Sequence, residues 1–216
     1  MRYKAVLFDM DGTVLDTLSD LTDSVNHTLR QYGMPERSSE EVASFLGNGA
    51  ARLISLSVPA GTGEELCRRV LGSYQPWYSA HCRIKTAPYP GILALMERLR
   101  SSGAKLAVIS NKGDDAVKAL AAQHFPGLLE LAVGESAAVR RKPDPDACLA
   151  AMSAIGAGKA DTVYIGDTEV DVVTAANAGV DCAAVSWGFR SRAGLIAAGA
   201  SHIFDSPEAL GDYLLE

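Results

Sequence analysis

Short apolar runs recur along the chain, each followed by a stretch whose apolar positions repeat at helical spacing. The runs fall at residues 5–8, 106–109, 128–133, 162–165 and 182–185, with a weaker one at 202–204. They are continuous rather than alternating, which is the pattern of strands buried on both faces. Helical repeats occupy 92–100, 115–123, 146–155 and 170–178, and Gly103, Gly156 and Gly179 stand where helix C-caps belong. Strands alternating with helices predict an α/β fold, a parallel sheet with helices on both faces.

Residues 15–83 break this rhythm. Helical periodicity covers 19–31 and 64–80, shorter helices are predicted at 40–46 and 50–57, and no strand is predicted in the segment. Tyr32-Gly33-Met34-Pro35 and Pro59-Ala60-Gly61-Thr62-Gly63 are turn signals between them. The simplest organisation is a small all-helical domain, 15–83, inserted after the first strand. Residues 1–14 and 84–216 then form the sheet domain, with the chain returning near Pro88-Tyr89-Pro90-Gly91.

At 216 residues the chain can bury roughly 70% of the surface its unfolded form exposes, so no disulfide or structural metal is required. Its 48% hydrophobic and 21% charged residues exclude a disordered or coiled-coil chain. A net charge of −6 argues against a nucleic-acid partner but leaves room for a local positive pocket that holds a phosphate. Cys67, Cys82, Cys148 and Cys182 are far apart and have no zinc spacing, so they read as reduced packing thiols. No apolar run reaches the roughly 20 residues of a membrane span, and the N-terminal run is too short and too soon acidic for a signal peptide. A cytoplasmic protein, monomeric or homodimeric, is the expectation. His27, His81, His124 and His202 are scattered and read as surface or structural residues.

Four polar clusters follow four of the apolar runs. In a parallel sheet all strand C-termini share one edge, so clusters distant in sequence can converge there. Asp9-Met10-Asp11-Gly12-Thr13 pairs two carboxylates beside an apolar strand, which requires a cation or donors unless it is a solvated Asp-Gly turn. Ser110-Asn111-Lys112 offers a hydroxyl, an amide and strand-end N–H groups, an anion site or a helix N-cap. In Arg141-Lys142-Pro143-Asp144-Pro145 the prolines stiffen the backbone around Lys142, a fixed countercharge or a solvated basic patch before a helix. Gly166-Asp167-Thr168-Glu169-Val170-Asp171 brings three acids to a strand end. They suit a hard cation held by oxygen, Mg²⁺ above all, or decorate a helix N-terminus, which is the expected role of Glu169. Together the clusters supply what phosphate-ester chemistry needs: a carboxylate nucleophile, a second acid, a hydroxyl, a lysine and a metal site.

Asp9-x-Asp11-Gly12-Thr13, Ser110-Asn111, Lys142-Pro143 and Gly166-Asp167-x-x-x-Asp171 resemble, in order, the four motifs of the haloacid-dehalogenase-like (HAD) hydrolase superfamily. The resemblance runs the length of the chain and implies a Rossmann-like core with a helical cap. It implies that Asp9 is a nucleophile that forms an aspartyl-phosphate and that Asp11 is the general acid/base. It further implies that Ser110, Asn111 and Lys142 bind the phosphoryl group. Mg²⁺ is then expected at Asp9, the Asp11 backbone carbonyl and Asp167, with Asp171 supporting the metal site. The carboxylate of Asp11 separates this chain from true haloacid dehalogenases, which lack one two positions after the nucleophile.

Phe45-Leu46-Gly47-Asn48-Gly49-Ala50, Ser110-Asn111-Lys112 and Val185-Ser186-Trp187-Gly188-Phe189 are similar to segments of phosphoglycolate phosphatases. The expected substrate is a small phosphorylated metabolite, 2-phosphoglycolate first. Asn48 and Arg52 are candidate substrate contacts, Arg52 for a carboxylate. A pyrophosphatase, a sugar-phosphate phosphatase and a phosphomutase share this scaffold and stay open. A receiver-like module phosphorylated on aspartate fits less well, being about half this length.

Overall fold

The computed structural model describes residues 2–137 and 139–216. Its main sheet contains six parallel strands: β1 (Ala5–Phe8), β4 (Lys105–Gly113), β5 (Leu131–Glu135), β6 (Thr162–Gly166), β7 (Asp181–Val185) and β8 (Ile203–Phe204). Their order across the sheet is β5-β4-β1-β6-β7-β8. The chain builds outward from β1 to β5, then crosses back to lay β6 on the other side of β1. That reversal makes β1 the switch point, where open α/β sheets hold ligands beyond their strand C-termini.

Alternation within each strand explains the unbroken apolar runs. Val6 and Phe8 of β1 pack into one buried cluster with Leu106, Val108, Val163 and Ile165. Ala5 and Leu7 pack into a second with Ala107, Ile109 and Tyr164. Helices α5 (Ile92–Ser101) and α10 (Pro207–Leu215) cover the first face, and α7 (Asp146–Ile155) and α8 (Glu169–Ala178) cover the second. Both faces are therefore covered by helices, and the strand side chains packed there are mainly apolar.

Four helices lie between β1 and the return to the sheet: α1 (Leu18–Gln31), α2 (Ser39–Phe45), α3 (Gly49–Ser57) and α4 (Glu64–His81). A two-residue antiparallel pair, β2 (Leu15–Asp16) with β3 (Ala87–Pro88), clasps the outgoing and returning chain. This pair was not foreseen from the sequence. Pro76 lies inside α4 without ending it.

Two strands differ from their sequence expectations. The run predicted at 128–133 enters the sheet only as Leu131–Glu135. Leu128 and Leu129 pack against the core from the connection after α6 (Asp114–His124), so their apolar character reflects burial without pairing. Strand β4 extends past its predicted end at 109 through Ser110, Asn111 and Lys112, all buried despite their polarity. Helix α9 (Arg192–Ala197) and α10 follow in the last quarter of the chain, where the sequence analysis assigned no helix.

Candidate active site

Register brings three of the polar clusters level. Phe8 aligns with Val108 on one side and Ile165 on the other, so Asp9 leaves β1 beside Ile109 of β4, just before Ser110, and beside the end of β6. The Asp9 N–H donates to the Ile165 carbonyl at 2.8 Å. The fourth cluster reaches the same edge through Lys142, whose segment is pinned by Asn111. The Lys142 N–H donates to Asn111 Oδ1 at 2.7 Å, and Asn111 Nδ2 donates to the Lys142 carbonyl at 2.9 Å. Asn111 Nδ2 also donates to the Gly47 carbonyl at 3.0 Å, so both amide hydrogens are engaged by backbone.

Lys142 is the hub. Its Nζ lies 2.9 Å from Asp9 Oδ1 and 2.7 Å from Asp171 Oδ1, and donates to the Tyr164 hydroxyl at 3.0 Å. Burial works against its charge, but Asp171 and Asp9 outweigh it and hold the ammonium well above the usual lysine range. Asp9 experiences the reverse balance. Burial pushes its carboxyl up, Lys142 pulls it down, Asp171 and Asp11 push it up again, and the result is about 7.

The remaining acids are held rigidly. Asp167 Oδ1 accepts from the Thr13 hydroxyl at 2.9 Å and Oδ2 from the Phe189 N–H at 2.7 Å. Asp171 Oδ2 accepts from the Thr168 N–H at 3.0 Å and its hydroxyl at 2.7 Å. Two glycines make these approaches possible: a Cβ on Gly166 would collide with Asp171, and one on Gly12, at φ +81°, with the Asp167 carboxylate. Asp9, Asp167 and Asp171 each bring a carboxylate oxygen within 4.8 Å of the others. Burial followed by the charges of Asp171 and Asp9 drives Asp167 well above the usual carboxylate range. With all three acids ionised, one lysine would leave an uncompensated charge of about two, and a hard divalent cation fits that oxygen donor set. These residues could hold such an ion.

Asp11 projects to the other side. Its Oδ1 lies 2.9 Å from Lys112 Nζ yet is buried without an aligned hydrogen bond. Lys112 in turn donates to the Tyr78 hydroxyl of α4. Ser110 Oγ accepts from the Lys112 N–H at 3.2 Å. Asp9, Asp11, Ser110, Asn111, Lys112 and Lys142 line the inner wall of a cavity of about 800 Å³. Leu46, Gly49, Ala50, Leu53, Tyr74 and Tyr78 of the helical segment line the wall opposite.

Asn48 and Arg52 are not brought to this cavity. Arg52 is exposed, and Asn48 is engaged through its backbone carbonyl by Arg141 at 3.4 Å. Arg190 carries a connection that the sequence analysis missed. It pairs with Glu169 at 2.8 Å and donates to the Ala43 and Leu46 carbonyls at 3.0 and 2.8 Å, tying α2 to the sheet edge. Arg190 directly follows the segment 185–189, which marks the neighbourhood but not the partners. Glu169 is thus an anchor for Arg190 as well as a helix N-terminal acid. Tyr78 was hidden by its spacing from Tyr74, four residues apart on α4, which reads as an ordinary core stripe.

A family model described as haloacid dehalogenase-like hydrolase matches residues 6–185. The chain belongs to this family. It is 33% identical to phosphoglycolate phosphatase 1 of Pseudomonas aeruginosa over 193 residues, covering 87% of this chain and 71% of that one. It is 32% identical to the phosphoglycolate phosphatase of Rhodospirillum rubrum over 223 residues, covering 98% and 90%. A crystal structure from Lactobacillus delbrueckii subsp. bulgaricus, given a provisional phosphoglycolate phosphatase name, superposes with a TM-score of 0.95. That protein is 40% identical, and 99% of each chain is covered. Family and relatives together make this hydrolase a phosphoric monoester hydrolase of the phosphoglycolate phosphatase-like branch.

Proposed function

We propose that the chain hydrolyses a small phosphate monoester, 2-phosphoglycolate, to glycolate and phosphate through an aspartyl-phosphate on Asp9. The observation that carries this reading is the environment of the Asp9 carboxylate. It sits at the cavity wall, 2.9 Å from Lys142, among carboxylates suited to a metal ion, with Asp11 two residues on. The names of the relatives from P. aeruginosa and R. rubrum favour 2-phosphoglycolate over the other monoesters.

The steps follow from the residues. An ionised Asp9 oxygen attacks phosphorus as the bond to the ester oxygen breaks. Asp11 protonates the departing oxygen, which then leaves as an alcohol. Water next attacks the phosphorus of the aspartyl-phosphate, Asp11 takes its proton, and phosphate and free Asp9 result. Asp11 lines the cavity two residues from Asp9, a position suited to both transfers. Ser110 accepts from the Lys112 N–H, and its own hydrogen is taken by no described residue, so it can donate to a phosphoryl oxygen. Lys142 offsets phosphoryl charge while holding Asp9 and Asp171 in place. Mg²⁺, held by Asp9, Asp167 and the Asp11 backbone carbonyl with Asp171 supporting them, would neutralise the phosphate and favour ionised Asp9. The helical segment 15–83 acts as a cap that covers the site and sets the alcohol accepted, with the β2–β3 pair as its root. Leu46, Leu53 and Tyr74 on the cavity wall support that assignment.

A panel of phosphorylated metabolites tests the reading. Turnover should be highest on 2-phosphoglycolate, vanish with EDTA and return with Mg²⁺. Metal-free enzyme with full activity, or a clear preference for a pyrophosphate or hexose phosphate, would contradict it.

A further inference from the structure

Helix α2 ends without a basic residue of its own in the last turn. The carbonyls that close a helix lack intrahelical partners and carry partial negative charge, so a cation is favoured there. Here the cation comes from far along the chain. Arg190 Nη1 and Nη2 donate to the Ala43 and Leu46 carbonyls at 3.0 and 2.8 Å. The same guanidinium forks on Glu169, with Nε donating to Oε2 at 2.8 Å and Nη2 to Oε1 at 3.2 Å. Four of its five N–H donors are thereby used, and its side chain is only 19% exposed.

The far side of Arg190 is built into the acid-bearing edge. Glu169 stands between Asp167 and Asp171 in sequence. The Phe189 N–H, one residue before Arg190, donates to Asp167 Oδ2 at 2.7 Å, and Trp187 Nε1 donates to the Thr13 carbonyl at 3.0 Å. A Cβ on Gly188 would collide with the Gly12 carbonyl and with Asp167, so the segment 187–190 lies directly against those residues. On the near side, Leu46 lines the cavity and the Gly47 carbonyl accepts from Asn111. We infer that Arg190 is a positioning residue that couples the seating of α2 to the order of segment 166–171, so that a divalent cation on the acids and docking of the helical segment strengthen each other. This rests on the metal site and the cap proposed above. The guanidinium is planar and rigid, so its two sets of donors keep a fixed relation. A Glu169 held still aims the donors at Ala43 and Leu46, and seated carbonyls hold Glu169 in return. Linkage makes the effect mutual.

Hydrogen exchange read by mass spectrometry, on the whole protein with EDTA or with Mg²⁺, measures the coupling without turnover. In wild type Mg²⁺ should slow exchange in peptides spanning 166–171. It should also slow exchange in peptides spanning 42–53, by about 5-fold or more. Arg190→Met should exchange faster at 42–53 and lose the Mg²⁺ response there, while keeping the response at 166–171. Arg190→Lys should restore little, because one ammonium cannot fork on Glu169 and also reach both carbonyls. Glu169→Gln leaves Arg190 its carbonyls, so protection at 42–53 should stay near wild type while the Mg²⁺ response weakens. A merely structural tie would lose both together, and that result overturns the coupling. So does a wild type whose 42–53 peptides ignore Mg²⁺ while 166–171 respond, a comparison that needs no variant to fold. An Arg190→Met protein that keeps the full response overturns it too. Failure of the metal-site reading looks different: Mg²⁺ leaves 166–171 unchanged in wild type, and the inference falls with it.

Discussion

Asp9 shows how a single carboxyl links chemistry to stability. Its ordinary value of 3.8 is pushed to about 7 by burial and by Asp171 and Asp11, against the pull of Lys142. The folded state therefore holds this proton more tightly than the unfolded chain. The stabilisation is fully present below pH 3.8 and is lost as pH rises toward 7. Above that range metal-free protein carries an ionised Asp9 in a cluster already rich in acid. Asp9→Asn removes the charge, so at pH 8 and without metal it should melt higher than wild type. The gap should close toward pH 4, and Mg²⁺ should stabilise wild type more than the variant. Thermal unfolding with EDTA or Mg²⁺ across that range measures it. Equal melting curves at every pH would show that the cluster is relaxed by water rather than strained by charge.

At the scale of elements, the attachment of the helical segment is concentrated in few residues. Asp20, in the first turn of α1, is 3% exposed and accepts four hydrogen bonds from the returning chain. The Ile84, Lys85 and Thr86 N–H groups donate at 3.1, 3.0 and 2.9 Å, and the Thr86 hydroxyl at 2.8 Å. Asp20→Ala would leave the buried Thr86 donors and the partly buried Ile84 and Lys85 N–H groups unmet, a loss of about 3 kcal/mol, or roughly 6–12 °C in Tm for a chain of this size. A drop under about 2 °C would mean that water replaces the carboxylate and the clasp is not structural. Arg190 is the corresponding tie at the far end of α2. Neither tie is legible from sequence, since Asp20 meets residues more than sixty positions on and Arg190 meets Ala43 and Leu46. Helix α10 was readable in principle, with Ser206 as N-cap accepting from the Ala209 N–H and Pro207 opening the helix.

For the molecule as a whole, legibility follows burial chemistry. Strands β1, β6 and β7 were readable because both faces are apolar and a polar cluster or turn ends each run. The far end of β4 was not, because Ser110, Asn111 and Lys112 are buried for the site and look like loop to any hydrophobic measure. The motif residues Asp9, Ser110, Lys142 and Asp171 converge on one edge as parallel topology requires, while the wall facing them depends on side chains such as Tyr78 whose spacing resembles core. In the proposed reaction this edge transfers a phosphoryl group to Asp9 and Asp11 manages the protons. The most direct measurement is rapid quench of Asp11→Asn with p-nitrophenyl phosphate, a leaving group that needs little protonation, followed by peptide mapping. A burst of p-nitrophenol with phosphate trapped on residue 9 is predicted, because the first step survives while hydrolysis of the intermediate slows by about 10²- to 10⁴-fold. No burst and no label at Asp9, with equal losses on activated and unactivated esters, would contradict it.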